Sequence, residues 1–125
     1  NAGKDLWTDA THTLNVTNAA AGYHSNVSAG LSLTADATWD EITATPAVMD
    51  TSGNTVQYII QRMCRNPNQV ISTENCPFGS SVDIPGAKIT GEPELKSTTV
   101  STMYRITARV TGPKNTISYI QAFVY

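Results

Sequence analysis

The sequence predicts an α+β fold, mostly β, and three observations carry that prediction. Residues 103–125, MYRITARVTGPKNTISYIQAFVY, read as a β-hairpin. Residues 55–64, TVQYIIQRMC, read as a long strand entered from a turn. No stretch of the 125 residues keeps a helical apolar stripe for more than a turn or two.

In the terminal hairpin, Tyr104, Ile106, Ala108 and Val110 alternate with Arg105, Thr107, Arg109 and Thr111. Period two of this kind marks a strand with one buried and one wet face. The apolar set is expected to be inside, since a slip of one residue would bury both arginines. Gly112-Pro113-Lys114-Asn115 supplies the turn, and Ile117, Tyr119, Ile120, Phe123, Val124 and Tyr125 form the returning arm. That arm is apolar on both faces, which predicts an interior strand covered on both sides, by this chain or by something beyond it.

Earlier in the chain, Leu6, Ala10 and Leu14 are spaced like a helical stripe. The surrounding threonines and Val16 are poor helix formers, so only a short helical turn is expected. Asn18 to Tyr23 predicts a second short turn stopped by Gly22, and residues 31–34, LSLT, a short extended piece. Asp36 to Glu41 predicts one helical turn with Asp36 as N-cap and with Trp39 and Ile42 on one side. Pro46 stops any continuation, and Asp50-Thr51-Ser52-Gly53-Asn54 turns the chain into the strand at 55–64. There Val56, Tyr58 and Ile60 face one way and Ile59 and Met63 the other, as in a central strand. Residues 65–102 carry Pro67, Pro77, Pro85 and Pro93 with Gly79, Gly86 and Gly91, and read as one long irregular connection with few buried contacts. The whole is one domain, 1–125.

Composition excludes several functions. A formal net charge of −2 and 14% charged residues leave no basic footprint for nucleic acid. No stretch is long and apolar enough to span a membrane, and no signal peptide is present, so export would need a targeting segment outside this chain. Cys64 and Cys76, twelve apart, fit a disulfide worth about 3 kcal/mol; a metal pair or two buried thiols are the alternatives. His12 and His24 have no ligand-like spacing to either cysteine.

Candidate sites are few. The 50–54 cluster lacks the alternating carboxylates of a calcium loop and is better read as a turn. His12 and His24 with Asp5, Asp9, Ser25 or Ser28 make an acid–base set only if they converge in one cleft, and no nucleophile elbow accompanies them. Asp36, Asp40 and Glu41 surround Trp39, an indole suited to the core or to binding a sugar or partner protein. Arg62, Arg105 and Arg109 would form a basic stripe if they aligned on neighbouring strands, either a solvated face or an interface. Asn15-Val16-Thr17 and Asn26-Val27-Ser28 match the glycosylation acceptor pattern.

Taken together, Ala37-Thr38-Trp39, DTSGNTVQYIIQRMC at 50–64, Cys76, and YRITARVTGPKNTISYIQAFV at 104–124 resemble the PilX-type minor pilins of bacterial type IV pili. The last segment is the most specific: a Tyr-Arg-Ile-Thr-x-Arg strand, a Gly-Pro-x-Asn-Thr turn and a Tyr-Ile-Gln strand. The resemblance covers roughly 37–125, with 65–102 as a variable loop. It implies a pilin head whose antiparallel sheet packs on the C-terminal half of a long N-terminal apolar helix that this chain lacks, and a disulfide between Cys64 and Cys76 formed in the periplasm. It further implies a role in pilus initiation and assembly rather than catalysis. The implied partners are other minor pilins, the major pilin and a large PilY-type tip adhesin. No catalytic residue, cofactor or metal carries over. The implied location is the inner membrane and periplasm before assembly and the pilus afterwards, with Trp39, Arg62, Arg105 and Arg109 as candidate contact residues. A secreted or surface β domain that binds carbohydrate or a receptor through Trp39 or the long loop is the alternative.

Overall fold

A computed structural model describes residues 3–77 and 102–125. Gly79, Pro85, Gly86, Gly91 and Pro93 of the long connection lie outside the described residues. The elements run β1 (Tyr23–His24), α1 (Asp36–Asp40), β2 (Val48–Met49), β3 (Thr55–Arg62), β4 (Tyr104–Thr111) and β5 (Ile117–Val124), with 3-10 turns at Thr13–Asn15 and Ala19–Ala21. They form one five-stranded sheet in the order β1-β3-β4-β5, with β2 also on β3. The fold is α+β and mostly β, as expected.

The terminal hairpin and the turn into β3 are both present, and the turn closes a second, short hairpin. β4 and β5 pair without a break from Tyr104↔Val124 to Thr111↔Ile117. Their turn is closed by Gly112 N–H to Thr116 O (2.7 Å) and Asn115 N–H to Gly112 O (3.1 Å). β2 and β3 pair antiparallel across the 50–54 turn. The Asp50 carboxylate accepts from the backbone N–H of Ser52 and of Asn54, and from the Asn54 side chain, each at 2.9 Å. Those bonds, the Asn54 side chain's foremost, hold the Asp50 carboxyl below its ordinary value. Its oxygens thus serve the turn itself.

The sheet is mixed rather than wholly antiparallel, because Tyr23 and His24 run parallel to β3 opposite Ile60 and Gln61. A parallel neighbour requires a long crossover, and the chain between β1 and β3, carrying α1 and β2, provides one. Gly22 sets up the entry. Its φ of +74° is left-handed, and a Cβ there would lie 2.5 Å from Tyr58 O, so the backbone passes too close to β3 for any side chain. Its own carbonyl accepts from Ile60 N–H at 2.8 Å.

Three local expectations are corrected. The cap of α1 is Ala35, with Asp36 inside the first turn and no side-chain cap. Asp36 instead reaches Arg109 on β4. Residues 31–34 are turn and coil rather than extended, with Leu33 turned onto Trp39. The part of the 65–102 connection that is described, up to residue 77, is well tied: Arg65 N–H donates to Asn75 O (2.6 Å), Asn66 N–H to Asn75 Oδ1 (2.8 Å), and Ile71 is buried against the cysteines. Side-chain amides there supply the backbone partners that a sheet ladder would otherwise give.

Two small clusters make the core. Trp39, Ile42 and Ile59, with Leu33 beside them, form one; Cys64, Ile71 and Cys76, with Leu6 beside them, form the other. The second contains the Cys64–Cys76 disulfide, which settles the pairing left open by the spacing.

Candidate interaction surface

Strand register sorts the sheet into two faces. Gln57, Ile59 and Gln61 share one with Arg105, Thr107 and Arg109 and with Tyr119, Gln121 and Phe123. Val56, Tyr58 and Ile60 share the other with Ile106, Ala108 and Val110 and with Ile120, Ala122 and Val124. The chain's own α1 region covers the middle of the first, where Ile59 packs with Trp39 and Arg109 lies against the Trp39 ring, while Phe123 on β5 remains 51% exposed. This reverses the expectation for β4: the face carrying both arginines is the inner one, and the apolar face is the open one.

Most of the polar groups of the inner face are partnered, with Gln61 Nε2 and Arg109 Nε buried without a hydrogen-bond partner. Arg109 lies 5.0 Å over the Trp39 ring, donates to Gln57 Oε1 (2.8 Å), and pairs with Asp36 at 3.2 Å. Arg105 donates twice to Gln61 Oε1, at 3.1 and 2.7 Å. Gln121 Nε2 donates to Thr107 Oγ1 at 3.2 Å. Long guanidinium stems lie along the sheet while their heads bond across it, so polar residues can pave an interior. The Asp36 carboxylate is 79% exposed, so that ion pair adds only about 0–1 kcal/mol.

Arg62 does not join a stripe with Arg105 and Arg109. It pairs with Tyr104 and therefore projects from the opposite face. There it is fully buried, and its guanidinium reaches Ser25 O (2.9 Å), Leu14 O (3.1 Å), Gln69 O (2.7 Å) and Asn15 Oδ1. Every one of these acceptors is neutral, and burial pulls the Arg62 pKa below its ordinary value. Trp39 is likewise fully buried, with its indole N–H given to Leu33 O at 2.9 Å. As placed, neither residue can meet a partner directly, and Trp39 offers no ring to a sugar. Both tie the fold together: the indole contributes buried apolar area, and the guanidinium's cost of burial is offset by acceptors drawn from three separate segments.

Asn15, of the first glycosylation pattern, is also fully buried, donating to Leu6 O and Asp9 O. His12 caps the first 3-10 turn, with Nδ1 accepting from Leu14 N–H at 3.1 Å. His24 sits in β1 opposite Gln61. Among the described residues no group of three or more His, Cys, Asp or Glu side chains is placed to hold a metal ion, and no helix is long and apolar enough to cross a membrane.

The open face is a broad apolar field. Tyr58 is 53% exposed and Ile120 64%, at the two ends of the rung Tyr58–Ala108–Ile120. Beside β3 the field runs into a groove of about 290 Å³ lined by Gly22, Ile42, Pro46, Val48, Tyr58 and Ile60. β5 is exposed along its whole length and is the last strand in the order, contrary to the expectation of a covered interior strand. Its apolar composition fits a strand buried in an assembly, a condition that periodicity cannot tell from burial within one chain.

Burial holds the His24 pKa below the ordinary imidazole value of 6.5, with Glu41 opposing the shift. A depressed histidine binds fewer protons folded than unfolded, so its contribution is fully present above about pH 6.5 and declines as pH falls through that value. The expected result is a lower urea midpoint at about pH 5 than at about pH 7, with the difference reduced in His24→Gln.

No protein-family model matches the chain, and no curated protein or solved structure does either.

Proposed function

We propose that this chain is the head domain of a PilX-type minor pilin, acting in initiation and assembly of type IV pili by protein contact rather than catalysis. Its partners are other minor pilins and the major pilin at or near the pilus tip, with a PilY-type adhesin as a further one. The observation that supports this reading is the open apolar face, whose occupant we take to be an apolar pilin helix. A sheet face of this composition calls for a second layer. The dimensions suit a helix: neighbouring strands lie about 4.8 Å apart, so β3, β4 and β5 span about 10 Å, close to the diameter of one α-helix. The Cys64–Cys76 disulfide fits maturation in an oxidising compartment such as the periplasm.

The test is genetic and biochemical. Deleting the gene from the source bacterium should sharply reduce surface pili, and the full gene product should co-purify with other minor pilins. Normal piliation in the deletion strain, together with no pilin co-purifying, would refute the reading.

A further inference from the structure

We propose that two copies of this head associate through antiparallel pairing of their β5 strands, about a two-fold axis at Gln121. This goes beyond the pilin reading and is independent of whether a helix covers the broad face.

The sheet's two edges differ sharply. On one side β1 and β2 present only two residues each to β3, and edges this short are poor templates for a further strand. On the other, β5 runs eight residues, Ile117–Val124, with no charge, no proline and no break in its register with β4. Among the described residues none of the usual edge protections is present there. An edge of this kind needs an extended backbone as partner, since only another strand satisfies a row of backbone donors and acceptors.

The β5 sequence selects a second copy of itself. Read outward from Gln121, the two nearest pairs match in residue type, Ile120 with Ala122 and then Tyr119 with Phe123, while Ser118 with Val124 and Ile117 with Tyr125 do not. An axis at Gln121 therefore sets Tyr119 opposite Phe123 of the second copy, twice, and Ile120 opposite Ala122, twice. Aromatic cross-strand pairs are among the favourable ones. Moving the axis to Ile120 would set Tyr119 against Gln121 and lose both aromatic pairs; moving it to Ala122 would set Tyr119 opposite Tyr125 but Phe123 against Gln121, and would shorten the overlap of the two β5 strands. Because such an interface is isologous, the two sheets would join as one continuous sheet and the assembly would close at two copies. The nearby cations do not oppose it, since Arg105 and Arg109 are bonded inward to Gln61, Gln57 and Asp36.

Sedimentation equilibrium of the 125-residue chain over a concentration series tests this. The expected result is reversible doubling of the 13.4 kDa mass. Gln121→Lys, which opposes two like charges on the axis, should abolish the doubling while leaving the melting curve cooperative. Met49→Lys, an exposed change on β2, should leave the doubling intact. Gln121→Cys should cross-link to itself under mild oxidation and Ile120→Cys should not, which reads the register directly. A chain that stays monomeric throughout, a dimer that survives Gln121→Lys, or self-cross-linking at Ile120→Cys in place of Gln121→Cys would each overturn the proposal. So would finding β5 engaged only by a strand of a different protein.

Discussion

Replacing Arg62 by methionine is expected to cost about 3–5 kcal/mol of folding stability, a large share of what a domain of this size possesses. The reason is the set of groups the guanidinium serves. Leu14 O, Ser25 O and Gln69 O are backbone carbonyls from three separate segments, and Asn15 Oδ1 joins them. A buried ion pair can sometimes be exchanged for apolar residues by removing both partners, but backbone carbonyls cannot be removed. Methionine would leave them buried without a donor. Lysine is expected to recover less than half of the loss, since one ammonium cannot span a fork of acceptors that guanidinium reaches through three nitrogens. Urea denaturation of Arg62→Met and Arg62→Lys checks this. A methionine variant within about 0.5 kcal/mol of the parent would show that the cage is dispensable.

Opening the Cys64–Cys76 bridge is expected to cost about 3 kcal/mol, from the chain entropy of a loop closed over twelve residues. For a domain of this size that corresponds to roughly 10–20 °C in melting temperature. The bridge also centres the smaller core cluster, so its loss would loosen Ile71 and Leu6, and with them the bonds linking Arg65 and Asn66 to Asn75. Melting with and without reductant measures the effect, and limited proteolysis locates it. Cleavage should begin within 65–77, and under the proposed function piliation should fall in a Cys64→Ser/Cys76→Ser strain. Unchanged melting and protease resistance after reduction would contradict this account.

The terminal hairpin and the turn into β3 were legible because period two and turn residues are local signals. The Asp50–Asn54 turn and the Gly112–Asn115 turn each close a pair of strands as their chemistry predicts. Trp39 and Ile42 were legible as core residues from their spacing alone. What periodicity does not encode is which side of a strand the rest of the chain will cover. In β4 the apolar face reads as inner, yet Thr107 is buried and Arg109 lies against the Trp39 ring, because Gln57, Gln61, Asp36 and that ring, all distant in sequence, supply partners for Arg105 and Arg109. Arg62 was misread for the same reason: its four acceptors come from three separate stretches of chain. The reading of β5 as interior fails because β5 is the last strand in the order; its apolar composition on both faces reports a need for cover, and the described residues do not provide it.

That uncovered surface also gives the most direct test. Ala108 sits at the middle of the open face, between Tyr58 and Ile120, on a strand away from the β5 edge. If an apolar helix occupies this face in the pilus, Ala108→Asp should be nearly silent in the isolated head, within about 1 kcal/mol by urea denaturation. The same change in the full gene product should fail to restore pili to the deletion strain, because a carboxylate would then be buried against the helix without a partner. Surface pili counted in the complemented strain decide the matter: few or none are predicted, and wild-type numbers with Ala108→Asp would contradict the claim that this face is where the head assembles.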